Sequence, residues 1–363
     1  MSVVNKQQVE EALREYVEPH LGKDLVSAKT IQSIVIEGGT VKISVVLGFP
    51  ARRMHSVMQE QISATVGKIP GVESVEVDIS TKIIAHQVQK GVNTIKGVKN
   101  IIAVASGKGG VGKSTTAVNL ALALSSEGAN VGILDADIYG PSQPTMLGTK
   151  ARPESQDGRT LDPVMSYHLQ SMSIGYLIDE ETPMIWRGPM VTQALEQLLK
   201  DTNWRDLDYL IVDLPPGTGD TQLTLAQKVP VSGAIIVTTP QDIALLDARK
   251  GLKMFEKVEV PVLGVVENMS IHICSQCGHE EPIFGEGGGK RMAEQHGVDF
   301  MGSLPLDIHI REDADSGRPT VIAKPDSRIA EIYREIARRA TARLSLQAKN
   351  YAAKFPNIVI QNT

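Results

Sequence analysis

The sequence predicts an α/β protein, a doubly wound and mostly parallel sheet preceded by a small α+β domain, and three observations carry that expectation. Short apolar runs, IIAVAS (101–106), VGILDAD (131–137), YLIVDLP (209–215), GAIIVTT (233–239) and VLGVVEN (262–268), recur between helical patterns, as strands buried on both faces of a parallel sheet require. A glycine-rich stretch, GKGGVGKST at 107–115, joins the first run to the helical pattern KSTTAVNLALALSS. Before residue 86 the texture changes to alternating strands and amphipathic helices.

Taken in order, VEEALREYV (9–17) reads as a helix, IQSIVIE and VKISVVL as strands joined across Gly38-Gly39, MHSVMQEQISATV (54–66) as a second helix and VESVEVDIS (72–80) as a third strand. Residues 1–85 therefore form a unit of order αββαβ. HQVQKGVNTIKGVKN (86–100) is polar and aperiodic and suits a linker, residues 101–345 form the larger domain, and 346–363 are a tail. There are no internal repeats or low-complexity tracts. The segment SRIAEIYREIARRATARL (327–344) sets Ile329, Ile332 and Ile336 on one face with arginines opposite; a helix docked on its own domain is expected, with a membrane-surface helix as the alternative.

With 363 residues, 42% hydrophobic and 22% charged, the chain can fill a sizeable core. A net charge of -5 and a pI near 5.9 supply no bulk attraction to nucleic acid or anionic membrane, so neither is an expected partner. The amino terminus turns charged within a few residues, and no apolar run approaches the ~18 residues of a membrane span. A cytoplasmic location is expected, and with it no structural disulfide.

The stretch at 107–115 carries the first chemistry. Gly107, Gly112, Lys113 and Ser114 satisfy a P-loop pattern placed after a strand and before a helix. Gly107, Lys108, Gly109, Gly110, Val111, Gly112, Lys113, Ser114 and Thr115 are expected to cradle the phosphates of ATP: backbone N–H groups converge on the oxygens, Lys113 reaches the β and γ phosphates, and the Ser114 hydroxyl ligates Mg2+. Asp213, closing YLIVD, is expected to hold Mg2+ through water, and DLPPGTGD after it to sense the γ-phosphate. Asp135 or Asp137, at the end of VGILDAD, falls at the same sheet edge, where a carboxylate can position the attacking water; Asp137 is the favoured catalytic candidate.

The only two cysteines, Cys274 and Cys277, stand three apart in NMSIHICSQCGHEEPIF (268–284), which points to a shared metal or redox role. Flanking His272 and His279 leave open a zinc site, from two cysteines and two histidines of one chain or from four cysteines across a dimer; a redox dithiol is a further alternative.

Lys108 after the first glycine marks the deviant Walker A class, KGGVGKS, whose members resemble one another in forming nucleotide-sandwich dimers; the resemblance gives Lys108 a catalytic role on the partner's nucleotide. Together with DADIYGPSQPTMLG, WRGPM (186–190), DLPPGTGD, TTPQ, ENMS, CSQCG, IFGEGGG and GSLPLD, these residues make 98 to about 340 resemble the Mrp/ApbC family of iron-sulfur cluster carrier ATPases. Residues 1–85 are similar to a PaaD-like domain through GKDLVS (22–27), with Glu18-Pro19 as the acidic-proline turn and no cysteine in GFPARRM. The resemblance implies an ATPase that holds a labile 4Fe-4S cluster on Cys274 and Cys277, with cluster donors and apo iron-sulfur clients as partners. In a twofold homodimer the two pairs complete a four-thiolate set. It also places Asn268 and Pro305 against the adenine. A positioning ATPase of the MinD/ParA type and an ATP-dependent reductase component with a bridging cluster are the alternatives.

Overall fold

A three-stranded and an eight-stranded sheet organise the chain in this computed structural model, which describes residues 4–89, 91–178, 188–274 and 276–347. In the amino-terminal unit α1 spans Lys6–Leu13, earlier than the apolar pattern alone suggests. Its start is a capping box: the Asn5 side chain accepts the Gln8 N–H, and the Gln8 side chain accepts the Asn5 N–H. β1 (Ile31–Glu37) and β2 (Thr40–Leu47) form a hairpin, α2 (His55–Val66) crosses over, and β3 (Ser74–Thr81) adds parallel to β2. Alternation along β2 turns Val41, Ile43, Val45 and Leu47 inward onto Val9 and Leu13 of α1 and Met58 and Ile62 of α2.

The large sheet contains β4 (Val98–Ala105), β5 (Val131–Asp135), β6 (Val164–Ser166), β7 (Leu169–Ser173), β8 (Leu207–Asp213), β9 (Gly233–Thr238), β10 (Val262–Glu267) and β11 (Phe300–Ser303). Their order is β11-β10-β9-β4-β8-β5-β7-β6, with all neighbours parallel except β6 against β7. One face is covered by α4 (Gly188–Asp201), α5 (Asp220–Lys228), α6 (Asp242–Lys257) and α7 (Gly288–His296), the other by α3 (Lys113–Ser126) and α9 (Arg328–Ser345); α8 (Ile308–Asp315) precedes α9. Crossovers leave β4 toward β5 and β9 toward β10 in opposite directions. The carboxyl ends of these adjacent strands are therefore the switch point at which an open α/β sheet binds ligands.

β4 begins at Val98, inside the stretch read as linker, and His86 is fixed to it: its backbone N–H donates to Asn100 Oδ1 at 3.0 Å. β7 has no apolar run to announce it. Its Ser171 and Ser173 are fully buried, with hydroxyls spent on the Val164 carbonyl and on Asp135.

The helix α9 is docked on its own domain, and two of its arginines are buried while Arg328, Arg339 and Arg343 stay exposed. Arg334 and Arg338 are each 2% exposed: Arg334 donates to Glu331 and to the Pro325 carbonyl, and Arg338 lies against His20 of the amino-terminal unit. Arg338 donates to Glu127 and Glu331 at 2.5 Å and to Glu335 at 3.1 Å. His20, from the amino-terminal unit, lies 2.7 Å from Glu18 and 2.9 Å from Glu335. Burial works against its charge, yet the hydrogen bonds and negative charge of the two carboxylates outweigh burial and raise its pKa to about 9. The folded value lies above the ordinary 6.5, so this contribution is complete below about pH 6.5 and is lost as pH rises through about 9. Melting of the full chain is expected to fall across that window, with His20→Gln flattening that part of the profile; an unchanged slope in the variant contradicts the pairing.

Candidate functional site

The glycine-rich loop leaves β4 at Ser106 and enters α3 at Lys113, with Gly110 (φ 80°) and Gly112 (φ 81°) in the left-handed region. Two of its glycines are required by close approach. A Cβ on Gly107 would stand 2.2 Å from the Asp247 carbonyl carbon of α6, and one on Gly112 would stand 2.1 Å from Asn268 Nδ2. The outer sides of Gly109 and Gly110 are open, with nothing within 4 Å of a Cβ built there. Val111 is buried, and its carbonyl accepts from Asn268 Nδ2 at 2.8 Å. The Thr115 carbonyl is bonded by Asn119 within α3, and Lys108 stands exposed.

Lys113 turns back to Asp213. Its Nζ lies 2.5 Å from Asp213 Oδ1 and 3.1 Å from Ser114 Oγ, with Lys113 6% and Asp213 0% exposed. The second oxygen of Asp213 accepts from Gln143 Nε2 at 2.9 Å, and the same amide nitrogen reaches the Ser114 carbonyl at 3.2 Å. Phosphate in the loop competes with Asp213 for the Lys113 ammonium. A hydroxyl beside a buried carboxylate is an oxygen donor set that fits Mg2+. Gln143 was not singled out in the sequence, where only its place in DADIYGPSQPTMLG marks it.

The sequence left Asp135 and Asp137 as alternatives, and the structure separates them. Asp135 ends β5 fully buried, accepting from the backbone N–H of Ser142 at 2.9 Å, that of Gln143 at 3.0 Å and Ser173 Oγ at 3.1 Å, so it shapes the following loop. Burial, and then the charge of Asp213, raise its pKa to about 7. Asp137 lies past the strand end, half-buried, on a cleft of about 450 Å3 shared with Pro215 and Pro216 of the DLPPGTGD loop. Burial raises its pKa against the opposing pull of Lys113, as suits a group that takes a proton.

Asn268 and Pro305 come together on neighbouring segments: Ser270 N donates to the Leu304 carbonyl and Leu306 N to that of Ile271. The side chain of Asn268 underpins the P-loop, a contact that spacing in the sequence does not signal. The same segment leads into a short hairpin, His272–Ile273 against Glu280–Glu281, with Cys274 and Cys277 at its tip. Cys277 is exposed and Cys274 partly so. Backbone N–H groups of Gln276 and Cys277 lower the Cys274 pKa, favouring the thiolate.

A one-chain zinc set is not preformed among the described residues. His272 Nδ1 donates to the Leu306 carbonyl at 3.1 Å, and among the described residues no group of three or more His, Cys, Asp or Glu side chains is placed to share a metal ion. Beyond the hairpin, Glu267 anchors the IFGEGGG segment by accepting from Gly287 N at 3.0 Å and Gly289 N at 2.6 Å. Exposed Ile283 and Phe284 follow the cysteines, and exposed Ile243 and Leu246 lie on the first turns of α6. No described helix is long and apolar enough to cross a membrane. Ser275, part of WRGPM and residues 348–363 of the tail lie outside the described residues.

A family model described as NUBPL iron-transfer P-loop NTPase matches residues 97–341, and one described as iron-sulfur cluster assembly protein matches residues 6–79. The chain is 53% identical over 338 residues to the iron-sulfur cluster carrier protein of Salmonella typhimurium, covering 93% of this chain and 92% of that one. It is 49% identical over 270 residues to the iron-sulfur cluster transfer protein NUBPL of Dictyostelium discoideum, covering 73% and 84%. Among solved structures, a nucleotide-binding protein from Archaeoglobus fulgidus in complex with ADP is 36% identical with a TM-score of 0.56, covering 64% of this chain and 90% of that one.

Proposed function

Because the chain belongs to the NUBPL iron-transfer P-loop NTPase family, we propose that it hydrolyses ATP and carries an iron-sulfur cluster, of 4Fe-4S type and held between two copies of the chain, to apo-proteins that need one. The observation that carries this reading is the position of Asn268. It bonds the P-loop through the Val111 carbonyl and heads the segment that ends in Cys274 and Cys277. A change at the phosphates therefore has a short mechanical route to the thiols.

Within the nucleotide site Lys113 holds the β and γ phosphates, Asp137 orients water, and Asn268 and Pro305 border the adenine. Ser114 Oγ and, through water, Asp213 hold Mg2+, which when bound neutralises charge on the phosphate oxygens. Lys108, exposed at the outer edge of the loop, reaches the partner's nucleotide. Gly107 packs the start of the loop against α6, whose Ile243 is 68% and Leu246 53% exposed and supply an apolar surface for the second copy. Each copy contributes two thiolates to the cargo cluster. The thiols are exposed at a hairpin tip, which suits a cluster that must be surrendered.

The test is transfer. After anaerobic loading with iron and sulfide, the protein is mixed with an apo-protein bearing four cysteine ligands, separated from it, and the acceptor's absorption spectrum is read with and without MgATP. The cluster is expected on the acceptor, at a nucleotide-dependent rate. Retention of the cluster by the carrier under every nucleotide condition contradicts the proposal.

A further inference from the structure

The cleft beside Asp137 holds a second polar side chain that the reading above does not use. Gln222, on the first turn of α5, is 2% exposed and lines this cleft with Asp137, Tyr139, Pro215, Pro216 and Thr221. Among the described residues neither its Oε1 nor its Nε2 has a hydrogen-bond partner. A buried amide left this way destabilises the fold. Pro215 and Pro216 have no N–H to offer it. The amide nitrogen of Gln143, by contrast, is spent on Asp213 and on the Ser114 carbonyl, leaving only its Oε1 without a partner among the described residues. An unpaired amide and a carboxylate that line one cleft together make a site for a small polar ligand that both accepts and donates hydrogen bonds, and water is that ligand.

We propose that Gln222 is a further catalytic residue, whose side-chain amide holds the attacking water against Asp137 during ATP hydrolysis. The inference rests on the ATPase reading. The water oxygen forms a bond to the γ-phosphorus as the bond from that phosphorus to the β,γ-bridging oxygen breaks, and the electron pair leaves on ADP. One water proton passes to Asp137 and then to solvent. The other hydrogen bonds to Gln222 Oε1, and the amide gives up and gains no proton. Its effect is orientation, for which misplacement of the nucleophile costs about 10²-fold.

Gln222→Met keeps length and bulk and removes both polar atoms. In the full chain it is expected to lower kcat for ATP about 10- to 100-fold, with KM and the affinity for a fluorescent ADP analogue within about threefold of wild type. Its Tm is expected to equal or exceed that of wild type, because an unpaired buried amide has been replaced by an apolar group. Gln222→Glu places a like charge in the cleft with Asp137 and is expected to move the acidic limb of the pH–rate profile upward, which checks Asp137 as the proton acceptor. The kcat loss without a KM change in Gln222→Met is what a merely structural role does not give. Wild-type kcat in Gln222→Met overturns the assignment, as does a loss of kcat accompanied by equal losses of Tm and nucleotide affinity. Asp137→Asn is measured alongside. A wild-type chain without ATP turnover contradicts the ATPase reading and this one with it, whereas a slowed Asp137→Asn beside an unslowed Gln222→Met overturns the role of Gln222 alone.

Discussion

Lys113→Ala is expected to lose nucleotide binding or hydrolysis, whereas Lys108→Ala is expected to keep much of the binding and lose hydrolysis by about 10²-fold or more. The two lysines stand in one loop, but their surroundings differ. Lys113 is buried against Asp213 and within its own chain's phosphate cradle, so it acts on the bound ground state. Its removal also leaves Asp213 buried with only Gln143 as partner, and breaking a buried pair from one side costs about 3–5 kcal/mol, part of which protonation of the carboxylate relieves. A lowered Tm should therefore accompany the lost binding in Lys113→Ala. Lys108 is exposed, and truncating it should change stability by no more than about 0.5 kcal/mol. Isothermal titration with ADP, phosphate release and thermal melts on both variants separate these effects. Wild-type turnover in Lys108→Ala removes that residue from the catalytic set.

The parts of the molecule legible in the sequence are those set by local pattern. β5, β8, β9 and β10 are buried on both faces and read as apolar runs, and the P-loop reads as a motif because its phosphate-binding groups are contiguous. What depends on distant parts of the chain does not read. β7 is written LQSMS, since its serines are satisfied by Val164, Tyr176 and Asp135. Arg338 of α9 looks solvated until Glu127 and His20, distant in sequence, close over it. Asp135 and Asp137 differ only in which side of the ladder's end they fall, and that is fixed by Ser142, Gln143 and Ser173. His272 sits in the sequence beside the cysteines, but the partner of its Nδ1, the Leu306 carbonyl, comes from another loop. The contact of Asn268 with Val111 spans most of the large domain and has no local signature.

Replacing Cys274 or Cys277 by Ala is expected to abolish stable cluster binding and leave ADP affinity within about threefold of wild type. Neither thiol belongs to the phosphate cradle; both sit at an exposed hairpin tip. In a symmetric dimer each substitution removes two of four thiolates, so the loss should be nearly complete rather than partial.

The same symmetry fixes a stoichiometry, which the account stands on. Iron and sulfide determination on the anaerobically reconstituted full chain, with its mass measured under non-denaturing conditions, is expected to give about four irons and four sulfides for every two chains. A full four-iron cluster in an isolated monomer contradicts the bridging arrangement, because one chain has only two cysteines to offer.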